Sequence, residues 1–193
     1  AFSYLRGLNQ KELFEMLRSL SGGRDRRAAD LASLYMGLAY KRKRLVCQAS
    51  VRIYCACDLI KRLPVGEKIL IFGESIRQAQ ELYALLERRH EGRVGQYHSR
   101  MGSQANRNTL ERFRSGDIRI LIACRALDEG LDVPDASVGI ILSSTATQRQ
   151  RIQRLGRVIR KNEGKDRASL YYLHVQETSE DACYLPGGGE NRI

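Results

Sequence analysis

KILIFGESIRQAQELYALL, residues 68–86, reads as a buried strand, a tight turn and an amphipathic helix in immediate succession. Lys68 to Phe72 is a continuous apolar run, the pattern of a parallel strand covered on both faces. Ser75, followed three residues later by Gln78, is a capping-box signature, and Ile76, Ala79, Leu82 and Leu86 then share one helical face. The same rhythm repeats downstream. Val94 to His98 supplies a second strand, and Ser103 is placed to cap a helix carrying Leu110 and Phe113, which Ser115-Gly116 ends. Ile118 to Ala123 is the third strand and Val138 to Leu142 the fourth. Thr147 with Gln150 caps another helix, and Ser169 to Val175 is the fifth strand. The fold class is α/β, an open and mostly parallel sheet with flanking helices, with ligands expected beyond the carboxyl ends of its strands.

Upstream the character differs. No proline occurs between Asn9 and Arg62, and apolar residues recur at helical spacing, as at Leu13, Met16, Leu17 and Leu20 and again at Leu31, Leu34 and Leu38. Two or three helices are expected, with Gly22 and Gly23 punctuating the first pair. Pro64-Val65-Gly66 is a turn signal. The chain therefore divides into a helical segment, 1–63, that packs on or leads into the next domain; an α/β domain, 64–178; and a glycine-rich tail, 179–193.

Composition narrows the function. Of 193 residues, 42% are hydrophobic and 28% charged, and no apolar run approaches the ~18 residues that a bilayer span requires. No membrane role is expected. The opening AFSYLRGLNQ has no basic head before an apolar stretch, so an intracellular protein is expected, cytoplasmic if prokaryotic. Five scattered cysteines, Cys47, Cys55, Cys57, Cys124 and Cys183, agree with reduced thiols. Cys55 and Cys57 form a CxC without a second ligand pair, so no metal site is expected there. The formal charge of +11 suits a polyanionic partner, and residues 148–167 hold eight basic against two acidic residues. Lys41 to Arg44, KRKR, is a second cluster, consistent with a solvated helix face.

The basic run is QRQRIQRLGRVIR, Gln148 to Arg160. On a helix, Ile152, Leu155 and Ile159 form an apolar stripe, while Gln153, Arg157 and Arg160 share another face. Paired guanidinium forks suit a polyphosphate; a solvated basic helix is the alternative. Upstream lies ILIACRALDEGLDVP, Ile120 to Pro134, a buried strand running into a loop with acids, a glycine and a proline. This loop resembles motif V, and QRQRIQRLGRVIR resembles motif VI, of superfamily 2 helicases. KILIFGES is similar to motif IV and YHSRM to the short motif after it. All four stand in the family's order, across Lys68 to Val175. EGLDVP and QRLGRVIR look most like the XPB-type and restriction-translocase branches that act on DNA, and less like the DEAD-box RNA helicases.

The resemblance implies a RecA-like domain, the second of a two-lobed motor, with roles that follow by position. Arg157 and Arg160 match the arginine fingers that contact the ATP γ-phosphate, and Gln153 matches the residue that couples nucleotide to nucleic acid. Asp132 matches the motif V acid near the ribose, with Gly130 permitting the turn; a loop-capping aspartate is the alternative. Gly73, Glu74, Ser75 and Arg100 match positions that approach the nucleic-acid backbone. Cys124 stands where many relatives have a phosphate-bonding threonine. A thiol is a weak donor, so a small buried hydrophobe at a strand end is the competing role.

A P-loop, G-x-x-x-x-G-K-[ST], and an acidic pair directly after a strand are needed to hold ATP and Mg²⁺. These 193 residues contain neither: Gly164-Lys165 lacks the flanking residues, and Asp128-Glu129 lies inside motif V. The resemblance therefore implies that ATP and Mg²⁺ are held mainly by an N-terminal RecA-like lobe, that DNA, or RNA, is the track, and that this chain alone does not turn over ATP. A non-catalytic nucleic-acid-binding or regulatory RecA-like module is the alternative function. An unrelated α/β enzyme binding a phosphorylated small molecule gives no reason for motif V to precede motif VI.

Overall fold

The computed structural model describes residues 10–124, 136–143, 168–178 and 180. The chain forms two compact units, residues 1–46 and 47–193. In the first, α1 (Gln10–Ser21) is followed by α2 (Arg26–Cys47), whose last residue belongs to the second unit. Gly22 and Gly23 lie between them, and the Gly23 amide closes α1 onto the Leu20 carbonyl at 3.0 Å. Asp25 starts α2 by accepting from the Arg27 and Ala28 amides at 3.1 and 3.2 Å, which satisfies donors that a helix start leaves open. Phe14 and Tyr40 meet edge to face, with centroids 6.1 Å apart.

The second unit holds α3 (Val51–Arg62), β1 (Ile69–Gly73), α4 (Ile76–Glu87), β2 (Val94–Tyr97), α5 (Ser103–Ser115), β3 (Ile120–Cys124), β4 (Val138–Ile141) and β5 (Ser169–Tyr172). The five strands form one sheet in the order β2-β3-β1-β4-β5, every pairing parallel. Because side chains alternate across a strand, Ile69 and Ile71 go to one face and Leu70 and Phe72 to the other. The first face joins Ile120, Ile122, Val138 and Ile140 to the buried sides of α3 and α4. The second joins Leu121, Ala123 and Ile141 to Phe113 of α5 and Ile118. Helices on both faces explain why all five residues of β1 and of β3 are buried. Of the three helices within the expected 1–63 segment, α3 packs into the sheet core through Ile53, Ala56, Cys57 and Ile60.

The strands differ from the sequence reading at their ends, for local reasons. β3 begins at Ile120 and not Ile118, because the Ile118 amide is bonded to the Arg112 carbonyl at 2.9 Å, finishing α5. Gly116 completes that finish at φ 90°, a left-handed conformation that costs glycine little. β5 stops at Tyr172, short of Val175: the Leu173 amide still bonds the Ile141 carbonyl at 3.0 Å, but the Leu173 carbonyl goes to Arg52 and the Val175 amide to Glu180. Ser103 does not cap α5. Gly102 is the N-cap residue, and Ser103 is already the first helical position. Ser75 does cap α4, accepting from the Gln78 amide at 3.4 Å, but the Gln78 side chain turns to the Ala49 carbonyl, so the return arm of a capping box is missing.

Candidate functional site at the carboxyl edge of the sheet

All strands being parallel, their carboxyl ends share one edge. The neighbours β3, β1 and β4 end there side by side. Gly73 closes β1 in register with Cys124 of β3, and the turn Gly73–Ser75 leads into α4. That turn is fastened to β4, since the Glu74 amide donates to the Ser143 hydroxyl at 3.2 Å and the Leu142 amide to the Phe72 carbonyl at 2.8 Å. A Cβ placed on Gly73 would make an ordinary 3.7 Å contact with Leu142 Cδ2. Packing therefore does not demand glycine at this position.

Cys124 is buried in the core beneath α3 and α4. There a thiol packs as a small apolar group. Arg100 lies on a single 3-10 turn after β2, exposed, and no described carboxylate pairs with it. The structure thus brings Gly73, Glu74, Ser75 and Cys124 to the ends of adjacent strands, with Arg100 beyond the end of β2. Gly130, Asp132, Gln153, Arg157 and Arg160 lie outside the described residues, as does the expected helix from Thr147.

Three polar arrangements at this edge escape a reading of the sequence. Arg52 of α3 is only 2% exposed. Its Nη1 donates to the Leu142 carbonyl at 2.8 Å and also to the Leu173 carbonyl, while Nη2 pairs with the Glu180 carboxylate. Glu180 also accepts from the Val175 amide at 2.9 Å. One guanidinium fork thereby fixes the ends of β4 and β5, a geometry that lysine lacks. Nothing in the α3 sequence marks Arg52 apart from the other basic residues; its helical face, shared with Ile53 and Ala56, is the one usable signal.

The second arrangement surrounds His98, at the end of β2. Its amide donates to Asn106 Oδ1 at 3.2 Å, and Asn106 Nδ2 returns a bond to the His98 carbonyl at 3.1 Å, which ties the strand end to α5. His98 Nε2 lies 3.1 Å from Gln96 Oε1, and Nδ1 is buried without a partner among the described residues. Burial, reinforced by the positive charge of Arg100, pushes the imidazole below its usual range. The third is Ser143, buried and holding the Glu74 amide.

Cys55 is exposed and Cys57 buried on α3, so the pair does not converge on one ligand. Among the described residues no group of His, Cys, Asp or Glu is gathered to hold a metal ion. No described helix is long and apolar enough to cross a membrane.

With this geometry in place, the likenesses are informative. The sequence model of the helicase conserved C-terminal domain matches residues 52–162. The DNA 3'-5' translocase XPB2 of Sulfurisphaera tokodaii is 46% identical over 72 residues, 37% of this chain and 16% of that protein. The ATP-dependent RNA helicase DBP3 of Meyerozyma guilliermondii is 28% identical over 122 residues, 63% of this chain and 23% of that protein. The matched part is thus less than a quarter of either relative. In fold, the chain is similar to the C-terminal domain of the DEAD-box protein Dbp5, at a TM-score of 0.54 and 21% identity over 65% of this chain and 71% of that one.

Proposed function

The chain belongs to the helicase conserved C-terminal domain family, and on that premise we propose that it is the second motor lobe of an ATP-dependent DNA helicase or translocase. The observation that carries this is the strand order. Because β3, β1 and β4 are neighbours, Cys124, the turn Gly73–Ser75 and Ser143 stand at adjacent strand ends. The strand that carries the start of the motif V-like stretch and the strand that precedes the motif VI-like run in sequence therefore flank the turn that resembles motif IV, which supports this reading.

In this function Arg157 and Arg160 act as fingers toward the γ-phosphate, Gln153 links that phosphate to the track, and Asp132 with Gly130 serves the nucleotide from the motif V side. Gly73, Glu74, Ser75 and Arg100 lie along the nucleic-acid backbone, with the Cys124 backbone beside them. Phosphoryl transfer depends on positioning and charge, which a permanently ionised arginine supplies. ATP and Mg²⁺ are assigned to a partner lobe, the N-terminal RecA-like half of the same protein, because these residues include no P-loop. DNA is preferred over RNA on the wording of EGLDVP and QRLGRVIR and on the 46% identity to a DNA translocase.

The test uses the full-length protein carrying this chain. Arg157→Ala and Arg160→Ala should each lower nucleic-acid-stimulated ATP hydrolysis by about 10³-fold while leaving nucleic-acid affinity within a factor of about two. Unchanged turnover would remove the finger assignment. Comparing stimulation by duplex DNA, single-stranded DNA and RNA at one moderate salt concentration tests the choice of track.

A further inference from the structure

Helix α2 is apolar on the wrong side. On a helix of 3.6 residues per turn, Leu31, Leu34, Tyr35, Leu38 and Leu45 fall within one arc of roughly 100°. These five side chains are between 47% and 74% exposed. The buried and half-buried positions are instead mostly small or flexible: Ala28, Ala29, Ala32, Met36 and Ala39, with Val46 and Cys47 at the end. Leu31, Leu38 and Leu45 recur at every seventh position, the spacing by which one helix receives another. A contiguous exposed stripe of this kind marks an interaction surface, since a solvated helix ordinarily turns its leucines inward.

The charges identify the partner. Lys41 and Arg42 occupy, one heptad later, the stripe positions of Leu34 and Tyr35, and Arg27 lies on the same side near its start. All three are exposed, and no carboxylate among the described residues pairs with them. A second copy of α2 is a poor occupant. In parallel it would set Lys41 and Arg42 against themselves, and antiparallel about Leu38 it would set them against Leu34 and Tyr35, leaving the cations without a carboxylate either way. Nucleic acid would satisfy the cations and leave the leucines in water. We propose that the Leu31–Leu45 stripe of α2 is a docking surface for an acidic amphipathic helix of a partner protein, its leucines packing the stripe and its carboxylates meeting Lys41 and Arg42.

The experiment uses the 193-residue chain and a fluorescein-labelled amphipathic peptide with leucine at heptad a and d positions and glutamate flanking them. The peptide should bind, and its affinity should fall about tenfold on Leu38→Gln and again on the pair Lys41→Glu, Arg42→Glu. A peptide with lysine in place of every glutamate should not bind. The substituted side chains are exposed, so the thermal melting of both variants should match that of the parent. No binding of the acidic peptide, or equal binding by the parent and both variants, overturns the proposal. So does a concentration-dependent dimer in sedimentation that Leu38→Gln abolishes, or tighter binding to phosphatidylserine vesicles than to the peptide that is lost in the same variants.

Discussion

At the scale of single residues, the carboxyl edge is set by two polar side chains inside the fold. Arg52 is the larger contributor, because its fork meets two strand-end carbonyls and a carboxylate in a site with little water. Truncation leaves Glu180 facing a vacated position. Arg52→Ala should therefore destabilise the chain by about 3 kcal/mol, the low end for breaking a buried pair, since Glu180 keeps its bond from the Val175 amide. Urea unfolding measures this. Arg52→Lys should recover only part of the loss, because an ammonium cannot span both carbonyls and the acid in one plane; full recovery would show that charge alone, without the fork, suffices. His98 contributes a pH dependence. Burial lowers its folded pKa below the ordinary 6.5, and His90 is shifted the same way by burial and by Arg119 and Arg89. Both rings therefore bind protons more readily unfolded than folded. Their stabilising contribution is complete above about pH 6.5 and is lost as pH falls from there through the folded values. His98→Gln should flatten that decline in a series of urea midpoints, and an unchanged slope would assign the dependence to other groups.

At the scale of elements, the absence of a side chain at Gly95 of β2 makes room for Thr109 of α5 and for Ile118. A Cβ there would stand 2.8 Å from Thr109 Cγ2 and 2.9 Å from Ile118 Cδ1. These are short terminal methyls, that of Ile118 buried in the core and that of Thr109 half-buried, so the helix must shift or the rotamers must strain. Gly95→Ala should cost about 1–3 kcal/mol and lower the melting temperature by several degrees, with Ile118→Val on the same chain restoring part of it. A melt equal to the parent's would mean the contact yields freely. Gly95 also shows what a sequence can and cannot reveal. The five strands and the helices between them are legible because continuous apolar runs alternate with helical periodicity, and both signals are local. The need for glycine at 95 depends on Thr109 and Ile118, and the end of β5 at Tyr172 on Arg52, groups well removed in sequence; the N-cap at Gly102 in place of Ser103 turns on a one-residue difference that the capping pattern does not resolve. The site divides in the same way. The place of Gly73, Glu74, Ser75 and Cys124 at strand ends is legible because apolar runs stop there, whereas their roles rest on the resemblance alone. Arg52 is not legible, because a buried arginine on an apolar face looks like any other basic residue until the carbonyls it meets are known.

At the scale of the whole molecule, the formal charge of +11 leaves open which polyanion the basic residues serve. Eight cations lie between Gln148 and Arg167, and the motor assignment directs the two decisive ones, Arg157 and Arg160, to nucleotide and not to the track. Salt dependence separates the two uses, because each backbone phosphate neutralised by a cation releases counterion and steepens the log–log slope of affinity against salt by about 0.9 on duplex DNA. If Arg100 and one or two companions are the cations on the track, the isolated chain should bind a duplex weakly with a slope near about −2, and Arg100→Gln should reduce its magnitude by about one. ATP with Mg²⁺ should leave that binding unchanged, and hydrolysis by the isolated chain should stay at the buffer rate. A slope of about −6 or steeper whose magnitude falls by about two when Arg157→Ala and Arg160→Ala are combined would place the basic run on nucleic acid. The chain would then be a binding module that keeps the helicase fold without the motor's chemistry.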